Sequence, residues 1–510
     1  MDSWPQEVYD KIGSFLDHAV GEAPFALPAI ATVSTRFQHA VERRTFRNIC
    51  KSISLSELET FEQIMTPRRG QNLRRLEVIV VLPSYPKDES GLFETDKDRR
   101  ANDAAATEII RRLFKCIRSF DDEKALDHER RPLLELDITG PLSLPDQRNP
   151  YVLRSRFSFL NLISDGEDFP TVPRVVKFSI DNNGLGRHWS PAVAPLLTSK
   201  LTNVKTVEWS LDNSEKDWGL YYSLDKIYRD DLVRGIRSTK LPKSVQDFRC
   251  VVASPTLMSP QQVLPKFTEA GIDDPVGLAL RELTKNCRKV ELGGFLAKST
   301  FETSRNTQDA DVESCWQNTT HLRIMLPKYG CSPDGTYLFD VGDVDQDADD
   351  YEEEVRAALN HLPPGYSVTE EEREAAEEFF DDHLDFLLGE EDDEVDGPMR
   401  NIPNNQKMNA TLTAFAHRCS LMPALEEAVL EVFYDSEEEW PFQVWCFAPH
   451  TLGHFNWDKN FKAGIDSWRV YFHVDEWRPT AATLDAFVAI PGKRDGGESI
   501  ISFLPWGDYA

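Results

Sequence analysis

A recurring apolar spacing constrains this chain more than any other feature. Leu201, Val204, Val207 and Trp209 lie at offsets 0, 3, 6 and 8. The same offsets hold for Leu73, Leu76, Ile79 and Val81, and for Val172, Val175, Phe178 and Ile180. They return at Pro242, Val245, Phe248 and Cys250, and at Trp316, Thr319, Leu322 and Ile324. Met422, Leu425, Ala428 and Leu430 form another copy, as do Pro449, Leu452, Phe455 and Trp457. Two weaker copies fill only the last three positions: Leu133, Leu136 and Ile138, then Cys287, Val290 and Leu292. Residues two apart face the same side of a short strand. Residues three apart fill the turn that feeds it. One copy cannot bury such a face, whereas stacked copies make a continuous core.

The pattern resembles the L-x-x-L-x-x-L-x-L of leucine-rich repeats. Helices fit some of the irregular intervals, at Pro191 to Ser199 and at Asn405 to Leu421. The expected fold class is α/β: an irregular leucine-rich-repeat-like solenoid with parallel strands over 51–339. It resumes over 398–510 and closes with strands at Trp468 to Phe472 and Leu484 to Ile490. A generic α/β domain with unrelated strands is the alternative. In such a solenoid the residue between the last two apolar positions points onto the concave face. That places Val80, Asp137, Ser179, Glu208, Arg249, Glu291, Arg323, Val429 and Asn456 there. The column is mostly polar and of mixed sign, suited to a protein or peptide partner more than to a small apolar ligand.

Charge narrows the partners. The 510 residues carry a net charge of −29, which repels nucleic acid and anionic membranes. Between Asp340 and Gly397 stand 24 acidic residues against Arg356 and Arg373, so this segment holds 22 of the 29 net negative charges. Residues 340–397 therefore read as an acidic, largely disordered insertion. One helix is expected inside it, at about 369–388. Thr369 begins a capping box, and Ala376, Phe380, Leu384, Leu387 and Leu388 share a face. No run approaches eighteen apolar residues and no basic leader precedes one, so neither membrane insertion nor secretion is expected. The eight cysteines stand singly, with no C-x-x-C pair, as in reduced cytoplasmic or nuclear proteins.

The first fifty residues read as short amphipathic helices. Trp4-Pro5-Gln6-Glu7-Val8, Ile12, Phe15-Leu16 and Val33-Ser34-Thr35-Arg36-Phe37 together resemble the F-box, and Val41 to Phe46 resembles the F-box proteins of filamentous fungi. Trp4 stands where that family usually has Leu, and the loop around Gly21 to Leu27 is longer than usual. The resemblance implies a helical module over 1–50 that binds a Skp-type adaptor and through it a cullin. It also implies that the repeats bind a protein substrate. Carried over position by position, Pro5, Ile12, Leu16, Val33, Ser34 and Phe37 form or support the adaptor surface. From Arg36 to Arg75, nine basic residues face four acidic ones, which suits an acidic adaptor.

Nothing anchors catalysis. Cys446, His450 and His454 invite a zinc reading, but Pro449 and Gly453 break any helix that would align the imidazoles. Asp343, Asp345, Asp347, Asp349 and Glu354 fall near calcium-loop positions, yet Ala348 stands where the turn wants glycine. Phosphate-loop and nucleophile-elbow motifs are missing. The expectation is a substrate-recognition subunit of a ubiquitin ligase, with no enzymatic activity, cofactor or metal. A non-catalytic scaffold outside any ligase is the first alternative, and an unrecognised α/β enzyme the second.

Overall fold

The structure, a computed structural model, describes residues 4–19, 26–86, 94–121, 133–143, 159–163, 166–182, 187–211, 222–252, 266–268, 272–302, 315–327, 330–341, 400–432, 442–451, 465–474, 476–491 and 497–504. The helix expected at 369–388 lies outside them, with nearly all of the acidic segment.

Three helices open the chain: α1 (Gln6–Ala19), α2 (Ala26–Ala31) and α3 (Thr35–Thr45). Ser34 caps α3 by accepting a hydrogen bond from the Phe37 N–H at 3.3 Å, which satisfies a donor that has no partner inside the helix. Both α1 and α2 pack on α3. Tyr9 is buried between them, edge-on to Phe37 at 4.8 Å between ring centroids. The Gln6 side-chain amide donates to the Arg36 carbonyl at 3.0 Å.

Strands follow at once. The first are β1 (Asn48–Ile53), β2 (Arg75–Val81), β3 (Leu134–Leu142), β4 (Phe159–Leu160), β5 (Val175–Asp181) and β6 (His188–Trp189). Next come β7 (Thr206–Leu211), β8 (Asp247–Val252), β9 (Lys289–Gly294), β10 (His321–Leu326), β11 (Phe339–Val341) and β12 (Arg400–Pro403). Last are β13 (Glu427–Val432), β14 (Phe442–Phe447), β15 (Arg469–His473) and β16 (Ile500–Phe503). β4 pairs with β6 and β11 with β12; the other twelve form one sheet in chain order. All neighbours from β1 to β13 are parallel. β14 then runs antiparallel between β13 and β15, and β16 lies parallel to β15.

Parallel neighbours need crossovers, and helices occupy most of them. α4 (Leu55–Ile64) and α5 (Pro67–Gly70) join β1 to β2, and α6 (Asp96–Ser119) joins β2 to β3. The remaining five are α7 (Val193–Ser199), α8 (Tyr222–Ser238), α9 (Pro275–Thr284), α10 (Asn405–Ser420) and α11 (Ala481–Val488). Their buried residues join those of the strands in one cluster. The chain is thus mixed α/β around a large, mostly parallel sheet. Among the described residues no helix is long and apolar enough to cross a membrane.

The core runs as rows across the strands. Leu76, Leu136, Phe178, Val207, Phe248 and Val290 stand opposite one another, all buried. Two residues on, Val78, Ile138, Ile180, Trp209, Cys250 and Leu292 form a second buried row. Polar side chains on the helices are satisfied against it: the Trp209 indole N–H donates to Thr198 Oγ1 at 3.0 Å. Asp274 caps α9 through the Val276 and Gly277 N–H groups and also receives Arg229 at 2.7 Å. A buried carboxylate needs all three donors.

Three expectations change. In β2 the inward residues are Val78 and Val80, not Ile79 and Val81 in alternation, so Val80 is buried and Glu77 takes its place opposite Asp137. Both frames are apolar in sequence, and pairing with Leu136 and Ile138 selects between them. Leu133 is 58% exposed, and Leu134 is the buried residue that leads β3. Residues 484–490 are not a strand: α11 covers Ala481–Val488, with Thr480 as N-cap and Phe487 buried on its inner face. Of the copy expected at Pro449 to Trp457, Leu452, Phe455 and Trp457 lie outside the described residues.

Adjacent positions on β7 test the alternation. Trp209→Ala is expected to cost about 3–5 kcal/mol by chemical denaturation, from lost burial and the cavity left behind. Glu208→Ala next to it is expected to stay within about 1 kcal/mol of the parent. Similar losses for both would contradict the two-faced sheet.

Candidate interaction face

The side of the sheet away from the main core carries polar rows in the same register. Asp137, Ser179, Glu208, Arg249, Glu291 and Arg323, all expected on one face, stand opposite one another on consecutive strands. Glu77 extends the row at one end and Val429, Trp445 and Tyr471 at the other. Two residues earlier a parallel row runs through Arg75, Glu135, Lys177, Thr206, Asp247, Lys289, His321 and Glu427. Asn456 lies outside the described residues.

Opposite charges pair across these rows. Arg75 meets Asp137 at 2.8 Å, Lys177 meets Glu208 at 2.9 Å, and Arg249 meets Glu291 at 3.0 Å. Each pair has one long, half-exposed partner, so each contributes at most about 1 kcal/mol. Their effect is on presentation: they hold the side chains upright in a fixed order. Around Glu208, Arg249, Glu291, His321, Arg323 and Trp445 the face sinks into a depression of about 520 Å³.

The pair at the far side of this depression is different. Arg323 donates to both oxygens of Glu431, the shorter contact at 2.8 Å, and Gln443 donates to Glu431 Oε1 at 3.4 Å. The Glu431 side chain is only 4% exposed. Burial pushes its pKa up, and so does the nearby Glu291 charge, while Arg323 offsets only part. Burial likewise raises Asp137 despite its contact with Arg75. Burial lowers His321, against the pull of Glu427. Beyond Glu431 the face turns apolar. Val429, Trp445, Phe447, Tyr471 and Leu504 form a separate cluster, with His473 stacked on Trp445 at 6.4 Å.

The N-terminal residues are placed in two ways. Val33 is 61% exposed, and Trp4 and Val8 are also exposed. Pro5 is exposed, while Ile12 and Phe37 are half-buried. Phe37 packs inward on Tyr9, and the Ser34 hydroxyl is engaged in capping α3, so both support the surface more than form it. The Leu16 side chain lies outside the described residues.

Sequence reasoning missed Lys177, His321, Glu431 and Trp445. The first two sit two residues before positions it identified, a distance that period-two alternation places on the same face. Trp445 and its row came with β14, an antiparallel strand that lacks the repeat spacing. Among the described residues no cluster of three metal-ligating side chains occurs. The geometry suits an extended polypeptide lying across the strands, its charges matched in sequence and an apolar side chain reaching the aromatic end. No family model, curated protein or solved structure matches this chain.

Burial of the Glu431 carboxyl has a pH signature. Its folded-state pKa lies above the ordinary 4.5, so its contribution to stability is fullest below 4.5 and is lost as pH rises through the folded value. Glu431→Gln is expected to flatten that fall in thermal midpoint measured across the same range. Arg323→Ala is expected to cost about 1–2 kcal/mol at neutral pH, because it strips the main partner from a buried carboxylate. An unchanged pH profile in Glu431→Gln would contradict this assignment.

Proposed function

We propose that this chain is the substrate-recognition subunit of a Skp-cullin-F-box ubiquitin ligase. In this reading the opening helices form an F-box-like module that binds the adaptor. The sheet, read as an irregular leucine-rich-repeat-like solenoid, binds a protein substrate on its polar face.

One observation carries the reading. The three helices bury Tyr9 among themselves yet leave Val33, Trp4 and Val8 in solvent, on a module too small to cover its own apolar residues. An exposed apolar surface of this kind favours a partner. The Trp4-Pro5 to Phe37 resemblance supplies the identity of that partner. Two features lend support. The strands stack in chain order, as repeats do. The polar face presents mixed charge in fixed register, which suits selective recognition of a polypeptide. Seven of the eight cysteines are buried free thiols, and burial pushes Cys116 and Cys287 up to about 12. Such inert thiols fit a reducing cytoplasm or nucleus.

A scaffold outside any ligase would use the same two surfaces. Cullin in the captured complex, and ubiquitin on a co-captured protein, separate the two readings.

The decisive variants are Pro5→Ala combined with Val33→Asp, tested by co-purification with the Skp-type adaptor. Because Val33 is exposed, the thermal midpoint should hold. Capture is expected to fall at least about tenfold, the loss of one buried apolar contact and the cost of burying a charge. Undiminished capture would remove the F-box assignment.

A further inference from the structure

Between the three helices and the first strands lies a cleft of about 640 Å³. Five arginines line it: Arg43 and Arg44 from the last turn of α3, Arg47 just after that helix, and Arg74 and Arg75 at the start of β2. Only two carboxylates share the lining, Asp10 and Glu135. Asp10 is engaged by Arg43, and Arg75 turns to Asp137. Among the described residues, neither Arg47 nor Arg74 pairs with a carboxylate. Arg74 instead donates to the Gln71 carbonyl at 3.2 Å.

The backbone forces these two cations together. The N–H groups of Arg74 and Arg75 both donate to the Arg47 carbonyl, at 2.8 and 3.1 Å. This staple ties the end of α3 to the start of β2. Burial lowers the Arg74 pKa, and the neighbouring Arg47 charge lowers it further, so the two guanidinium groups repel each other. Both residues are exposed, so solvent and salt weaken this repulsion without removing it. In a chain of net charge −29, the cleft sets five arginines against two carboxylates, and neither carboxylate is bonded to Arg47 or Arg74 among the described residues. An external anion would turn the repulsion into attraction.

We propose that this cleft binds a phosphate-bearing ligand, with the phosphate bridging the guanidinium groups of Arg47 and Arg74. A phosphate dianion offers several acceptor oxygens to two arginine forks at once, which a single carboxylate does not. The cleft is small, and the strongly negative chain disfavours extended polyanions such as nucleic acid. A compact ligand fits: a phosphorylated serine or threonine of a polypeptide, or a small soluble polyphosphate. The proposal does not depend on the ligase reading.

The test is calorimetric titration of the full chain, without adaptor, using three probes: pyrophosphate, a doubly phosphorylated serine peptide, and the same peptide unphosphorylated. At least one phosphorylated probe is expected to bind, with affinity falling as salt rises, and the unphosphorylated peptide is expected not to. Binding of pyrophosphate alone identifies a soluble polyphosphate site; binding of the phosphopeptide identifies a modified polypeptide. The double variant Arg47→Gln and Arg74→Gln is expected to bind on the order of 100-fold more weakly, with an unchanged or raised thermal midpoint. Arg47→Lys keeps the charge but not the fork, and is expected to fall between the two. Arg237→Gln, exposed and distant on α8, is expected to bind as the parent does. Failure of both phosphorylated probes to bind the parent overturns the proposal, as does parental affinity in the double variant. Loss of adaptor capture in the double variant, with no phosphate binding by the parent, would instead assign the cleft to the adaptor.

Discussion

The whole sheet depends on in-register burial between parallel neighbours. No strand here covers its own apolar side chains. Val207 and Trp209 are fully buried because Phe178 and Ile180 stand on one side, Phe248 and Cys250 on the other, and α7 behind. Each strand is thus both core and cover for the next, and stability is shared along the stack. A slip of one residue in any pairing would turn Trp209 outward and Glu208 inward, so the register is strongly specified. The same rigidity orders the polar face, since Asp137, Glu208, Arg249 and Arg323 inherit their alignment from the rows behind them.

That logic explains what could be read from sequence. The 0-3-6-8 spacing located β5, β7, β8, β9, β10 and β13, because the two inward residues of each are apolar and, in all but β13, the residue between them is polar. It misplaced β2, where Leu76 to Leu82 is apolar at nearly every position and only pairing with β3 breaks the tie. At the C-terminal end the strand expected at Trp468 to Phe472 is present as β15, but β14 was not foreseen, for a different reason. In β14 and β15 both faces are buried, with Val444 and Phe472 against the main core and Trp445 and Tyr471 in the smaller cluster, so alternation vanishes. Leu484 and Phe487, three apart, served a helix instead of a turn leading to a strand.

The polar face was legible in part for the same reason. A column of residues defined by strand geometry survives even when individual contacts do not appear in sequence. What sequence lacks is the diagonal: Arg323 reaches past its register partner Val429 to Glu431, two residues along the neighbouring strand. Side-chain length decides that choice, because Arg spans a diagonal that shorter side chains do not. The outcome is a face whose charges are mostly neutralised locally, so in the proposed function shape and order would discriminate partners. A face of one sign would bind more partners and tell them apart less well.

The junction between helices and sheet follows from one carboxylate. Glu42, on α3, is almost fully buried and receives Arg68 and Arg69 from α5, with Gln38 as a further donor. Burial alone would raise its pKa, but the Arg69 and Gln38 hydrogen bonds and the two arginine charges outweigh that and hold it below the usual carboxylate range. Arg69 also lies over the Phe46 ring at 5.1 Å. With the Arg47 staple, these contacts fix α3 to the first strands at several points instead of through a single pivot. A rigid junction has a mechanical consequence for any two-surface adaptor. The vector from the exposed Val33 to the depression around Arg323 is set by folding, so under the proposed function a partner on one surface would be presented to a partner on the other in one orientation. Effective concentration between two bound partners is highest when the span is fixed and matched, and falls as the connection loosens.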